Sequence, residues 1–389
     1  MAGSVTANTS VPGMRVAVTC FFFISGFSYA AWASRIPTIK DQLHLSDAQL
    51  GSILFALPVG LMVTLPFTKH FLGRISSRAI MFTGAIAFNI TLCFTGMAAA
   101  AWQLAILLFF FGSSRNLLNL SANAQAVSLQ KLYPKSIITS FHAIWSLAGF
   151  AGAALGYVMV SCNIGTRWHL LAVGIGMLIL SFLFYPATLY EAPVPQERKP
   201  VFSLPDKTLI NFSIIAFIGM ACENTMYDWS GIFFEKVVHS SARATTLGFV
   251  IYMVAMTSGR VFGDALVNRF GIKRILHYCG IFITVGLSIS VLLPYPVTAG
   301  IGFLFTGLGV SCVIPLVLSM TGRAHAANSS SAVASVSTIG YLGFLMVPPL
   351  IGFVAQWVGI RVAFGTIAVL AGAMIYMVSR LREGNGDEG

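Results

Sequence analysis

The sequence predicts an all-α membrane protein of twelve spanning helices, built as two pseudo-symmetric six-helix halves, and three observations predict it. The first is composition. Of 389 residues, 57% are hydrophobic and 9% charged, with a mean hydropathy of +0.83, which is more apolar surface than a fold in water can hide. The second is segmentation into apolar stretches of about 20 residues, the length at which a helix crosses hydrocarbon while satisfying its own backbone. The third is duplication. The loop Arg74, Ile75, Ser76, Ser77, Arg78 returns as Arg269, Phe270, Gly271, Ile272, Lys273, and the apolar runs before the two begin with Leu50, Gly51 and Leu247, Gly248, an offset of 195 to 197 residues. A repeat of half the chain's length, made of spanning helices, points to a transporter with two like halves.

In order, the first span covers 14–34 and closes at Arg35 and Pro37, and the second covers 50–67 and runs into the first basic loop. The third and fourth, 79–100 and 102–127, are separated by a single short turn. The fifth, 137–160, carries Gly149, Gly152 and Gly156, and the sixth covers 168–190. The stretch 191–207 then holds Pro193, Pro195, Pro200 and Pro205 among mixed charges, so it reads as a cytoplasmic tether. In the second half the spans are 209–233, 244–266, 275–293, 297–320, 332–354 and 358–378, with Pro315, Pro348 and Pro349 kinking the tenth and eleventh. The domains expected are therefore 1–190 and 206–389, joined by 191–205.

Placing both termini in the cytoplasm leaves Arg35, Lys40, Arg167, Lys236, Arg243 and Arg361 outside and Arg115 and Arg260 within spans, with the remaining Lys and Arg inside. This bias accounts for the net charge of +11 as an orientation signal, with no need of nucleic acid. Residues 1–10 carry no positive charge ahead of the first apolar run, so no cleavable signal is expected. The six cysteines lie in or beside apolar segments without paired spacing, and the seven histidines are scattered. Neither a metal site nor a cofactor is expected, and no glycine loop followed by Lys and Ser or Thr is present to cradle ATP.

These residues resemble the major facilitator superfamily over essentially the whole chain. Its signature loop has the form Gly-x-x-x-Asp-Arg-x-Gly-x-Arg-Arg. Arg269, Gly271, Lys273 and Arg274 match it in register, with Asn268 at the acid position, and the first copy keeps Arg74 and Arg78. Within the superfamily the chain is similar to the fucose-permease-like sugar transporters and their YbjJ-type bacterial inner-membrane branch. The stretches Ala31 to Pro37, Asn119 to Gln125, and Glu223 with Asp228, Trp229 and Ser230 carry that similarity. The resemblance implies a cytoplasmic gate at the signature loops and a central cavity lined by the fourth span.

Charges inside a bilayer cost about 2.5–3.5 kcal/mol each at a helix centre and need a reason. Glu223 lies about 15 residues into the seventh span, at a depth that suits a carboxyl loading and releasing a proton; the alternative is a fixed helix contact. Asp228 shares a face with Asn224 and is either an interfacial contact or a substrate contact. Trp32 and Trp229 match at the repeat offset and either stack on a sugar or anchor at the interface. In the fourth span Arg115, Asn119 and Asn123 follow at four-residue steps, with Asn116 alongside. Arg115 either pairs with Glu223 or another acceptor, or offers positive potential to an anionic solute. Arg260 and Asp264, four apart, are expected at the cytoplasmic gate with Arg74, Arg78, Arg269, Gly271 and Lys273. His142 and Tyr341 are weaker cavity candidates that by default bond a neighbour.

The expected function is secondary transport of a small polar, sugar-like solute by alternating access, driven by protons. The partners expected are that solute, protons and the lipid bilayer, with a monomer in the inner membrane. Drug efflux is the alternative, although the fifth span lacks the Gly-Pro pair usual in multidrug exporters; a non-transporting membrane sensor is another. No nucleophile and base set at workable spacing points to an enzyme.

Overall fold

The computed structural model describes residues 10–134, 137–191, 205–207, 209–324 and 329–381. These residues are helical throughout, with no strand among them. The described residues fall into two compact units, one from 10–43 with 56–191 and the other from 44–55 with 205–381.

The first unit contains α1 (Val11–Ala33), α2 (Ile36–Gln42), α4 (Ala56–Leu72), α5 (Ser77–Thr95), α6 (Ala101–Gln130), α7 (Ile138–Ser161) and α8 (Thr166–Phe184). Pro12 in the first turn and the Ser10 hydroxyl, which accepts from the Gly13 amide, start α1. The helices pack as α1 on α7, α4 and α5 on α6, and α5 on α8. The α4–α6 crossing is close because each helix offers a glycine to the other's backbone. A Cβ on Gly60 would sit 2.0 Å from the Phe109 carbonyl oxygen, and one on Gly112 would sit 1.9 Å from that of Leu57. That approach fixes the rotation of α6.

The second unit contains α3 (Asp47–Leu54), α9 (Ile210–Lys236), α10 (Ala242–Phe270), α11 (Ile272–Leu292), α12 (Pro296–Val310), α13 (Val313–Ala324), α14 (Ser329–Val358) and α15 (Ile360–Ser379). Here α9 packs on α14, α15 and α10, α12 lies between α10 and α11, and α3 packs on α14. Ser46 and Gln49 close a reciprocal capping box at the start of α3. Asp47 on that first turn holds the Lys236 ammonium at the end of α9, 2.8 Å from each carboxylate oxygen.

Among the described residues, eleven helical stretches are long and apolar enough to span a bilayer. The seventh expected span is present as α9 but falls outside that set, because Asn211, Glu223, Asn224 and Asp228 make it more polar than the others. Two expected spans are interrupted. The second divides at Phe55 into α3 and α4, and the tenth divides at Ser311 and Cys312 into α12 and α13. The second break follows from Pro315, which has no amide hydrogen for the carbonyl of Ser311 four residues earlier. The proline-rich tether lies, apart from Glu191 and residues 205–207, outside the described residues. Large apolar side chains such as Phe182, Val369 and Trp357 are exposed, as helices facing hydrocarbon require.

Candidate functional site: two intramembrane polar clusters

The second unit gathers charge around α9. Glu223 accepts from the Arg260 guanidinium of α10 at 3.3 Å, and both side chains are about four-fifths buried (18% and 22% exposed). The Nε–H of Arg260 donates to the Ser311 carbonyl at 3.2 Å. That acceptor is the one Pro315 leaves without its helical donor. A second proline acts alike. Pro348 in α14 cannot pair the Phe344 carbonyl, which accepts a long bond from the Asn224 amide at 3.5 Å. The same amide donates to the Asp228 carboxylate at 3.1 Å. Tyr227 of α9 meets Tyr252 of α10 edge to face at 6.0 Å, and the Tyr252 hydroxyl is buried with no hydrogen-bond partner among the described residues.

Several expectations change here. Arg260 was expected at the cytoplasmic gate, but it lies ten residues before the end of α10, about 15 Å along the helix, and reaches Glu223. Asp264 is exposed on the same helix. Asp228 is 7% exposed and bonded to Asn224, so its carboxylate is buried within the protein. Trp32 and Trp229 are both nearly inaccessible, at 1% and 0%, and so neither anchors at an interface nor presents a face for stacking; Trp32 lies against Phe111.

The first unit holds a cluster of different character along α6. The Arg115 guanidinium lies over the Tyr29 ring of α1, 3.7 Å from its centroid, and its Nε is buried without a hydrogen bond. Arg115 makes no ion pair among the described residues: Glu223 binds Arg260, and Arg115 lies over an aromatic face. One turn on, Asn119 accepts from the Ser25 hydroxyl at 2.6 Å, and Ser25 in turn accepts from the Trp145 indole at 3.3 Å. The Asn123 amide donates to the Asn119 backbone carbonyl at 2.8 Å. Asn116 departs from this stripe, because its amide donates to Thr68 of α4 at 3.0 Å. A cation–π contact supplies about 0.5–2 kcal/mol, less than the cost of about 2.5–3.5 kcal/mol for a charge at the helix centre.

The remaining candidates sit apart from both clusters. Arg78 stacks over Tyr185 at 4.5 Å and donates to the Pro186 carbonyl, gripping the 3-10 turn Tyr185–Ala187 after α8. Arg74 is exposed in the turn after α4, and Arg269 is exposed beside Phe270. Gly271, at φ +82°, joins α10 to α11 in a conformation that suits glycine, with Lys273 in the next turn. His142 meets Phe22 edge to face at 5.4 Å, and Tyr341 is half-buried on α14. Sequence reasoning missed Ser25, Tyr29, Trp145 and Tyr252. It also passed over the buried pair in which Arg35 donates to His169 Nδ1 at 2.9 Å. Arg35 stood in the sequence as an outer cation beside Pro37, and nothing there marked its partner.

The sequence profile of the Major Facilitator Superfamily matches residues 18–341. The chain belongs to the major facilitator superfamily. It is 29% identical over 361 residues to an uncharacterized MFS-type transporter of Yersinia pestis, covering 92% of this chain and 94% of that one. It is 27% identical over 373 residues to the uncharacterized transporter y4wD of Sinorhizobium fredii, covering 94% and 97%. Among solved structures, a point mutant of the nucleoside transporter NupG superposes with a TM-score of 0.76 at 12% identity, covering 94% of this chain and 99% of that one. At that identity the likeness is one of fold. This major facilitator protein is a multi-pass membrane transporter with two chemically distinct intramembrane clusters.

Proposed function

We propose that this major facilitator transporter moves a small polar, hydroxylated solute of the kind handled by the fucose-permease-like transporters it resembles, with both termini cytoplasmic, by alternating access coupled to protons through Glu223. One observation carries the coupling. A carboxylate within the apolar interior is held by one guanidinium, and that guanidinium is also held by a carbonyl that a proline sets free. A proton on Glu223 removes the negative charge, weakens its hold on Arg260, and so links proton occupancy to the α9–α10 contact. The polar stripe of α6 supports a hydrogen-bonding solute over a purely lipophilic one.

The test is reconstitution into proteoliposomes with a solute selected by its stabilising effect. The wild-type protein should accumulate the solute when a pH gradient is imposed. Glu223→Gln should still exchange labelled for unlabelled solute across the membrane but lose accumulation against a gradient. Retained pH-driven accumulation in that variant removes the proton role.

A further inference from the structure

We propose that the α6 stripe is an anion site: the solute carries one anionic group, a carboxylate or a phosphate ester, received by Arg115, on a hydroxylated body bonded by Asn119 and Asn123. This deepens the polar-solute reading above and rests on it.

The charge ledger of the first unit points there. Its long helices α1, α4, α5, α6, α7 and α8 contain no Asp or Glu, so Arg115 is a mid-membrane cation with no acid on those helices to neutralise it. Tyr29 covers one face of the guanidinium, whereas the N–H donors lie in its plane, and the buried Nε has no acceptor. A planar cation with its face supported and its Nε edge lacking an acceptor matches the two oxygens of a carboxylate or phosphate. A neutral solute would leave that edge without counter-charge.

The neighbours extend the match. Ser25 occupies Asn119 Oδ1, which leaves the Nδ2 donors of Asn119 free to bond an acceptor about 6 Å along the helix. Asn123 spends its amide on the Asn119 backbone and keeps Oδ1 as an acceptor one turn further, suited to a hydroxyl. The order along α6 is thus cation, donor, acceptor. Arg260 does not compete for the role, since Glu223 already balances it.

Thermal stability of the purified full-length protein tests this with D-gluconate, D-glucuronate and glucose 6-phosphate set against D-glucose, D-glucitol and tetraphenylphosphonium. At least one anion should stabilise the wild type where its neutral counterpart does not, and the carboxylate and phosphate arms separate the two sources of charge. Arg115→Gln should weaken that anion by at least about tenfold, the loss expected for a charge-assisted bond. If Arg115→Gln does not give monodisperse protein, Arg115→Lys decides: it should bind the acid more weakly and leave glucose unaffected. Stabilisation by glucose or glucitol that persists in Arg115→Gln overturns the anion site and leaves the polar-solute reading standing. No response to any acid overturns it too. A response to tetraphenylphosphonium alone overturns both.

Discussion

The Arg260 guanidinium donates to the Ser311 carbonyl at 3.2 Å, and Ser311 is the residue whose helical hydrogen bond Pro315 cannot make. Apolar helices have no spare acceptors, because each carbonyl is taken by the amide four residues on. A proline releases one at a chosen depth. Pro348 and Phe344 repeat the arrangement for Asn224 on α14, so two prolines far apart in sequence supply acceptors to the polar groups beside α9.

Pro315→Ala should test whether that released carbonyl positions the ion pair. Alanine returns an amide hydrogen to Ser311 and removes a helix break worth about 3 kcal/mol. The variant should therefore melt at an equal or higher temperature while transporting more slowly than wild type. Unchanged transport at raised stability would assign Pro315 to helix geometry alone.

The Glu223–Arg260 pair should behave as a coupled unit. Arg260→Gln alone leaves a buried carboxylate without its partner and should lower stability by about 3–5 kcal/mol. Adding Glu223→Gln removes the stranded charge, so the double variant should be more stable than Arg260→Gln. Thermal unfolding of the two singles and the double measures this. Additive losses would mean that the 3.3 Å contact contributes no coupling.

The spans were legible because hydrocarbon thickness imposes one length on every helix, and α6 (Ala101–Gln130) overlies its expected 102–127 closely. The second span was not read as two helices, although Pro58, which has no amide hydrogen for the Leu54 carbonyl, marks the break at Phe55 as Pro315 marks the other. Arg260 was misplaced for a local reason: Asp264, four residues on, offers a partner that periodicity can see, whereas Glu223 is 37 residues earlier on another helix. The α6 stripe shows the same limit. Its four-residue spacing was visible, but Tyr29, Ser25 and Trp145 come from helices whose rotation is set by packing, and Asn116 turned to Thr68 for the same reason.

Packing at the α4–α6 crossing gives a sharp contrast between glycines. Gly112→Leu forces side-chain atoms into the Leu57 backbone, which cannot move like a flexible side chain, so folded protein should be lost. Gly176 in α8 has open space where its Cβ would go, and Gly176→Ala should stabilise by about 0.5–1 kcal/mol through helix propensity. Yield and elution profile of the two variants read this out. A well-folded Gly112→Leu protein would show that the helices separate at little cost.

The buried Arg35–His169 contact sets the last expectation. Arg35 precedes α2, is 2% exposed, and donates Nε–H to His169 Nδ1 at 2.9 Å and a second N–H to the Ile164 carbonyl at 2.8 Å. Two donors fixed in one plane tie the end of α1 to the start of α8, and a lysine ammonium on a longer swing cannot reproduce that fork. Arg35→Lys should therefore cost about 1–3 kcal/mol, the range for leaving a buried acceptor unmet. Burial pushes the Arg35 guanidinium down to about 10. A base whose folded value is depressed holds a charge that disfavours the native state, and that penalty is relieved only as pH rises through about 10 toward the unfolded value. Below about pH 9 Arg35 stays protonated, so the wild type gains nothing from this group between about pH 6 and about pH 8.5, and the Arg35→Lys loss should hold or shrink there as the buried lysine sheds its proton. A loss that grows across this range would contradict that reading.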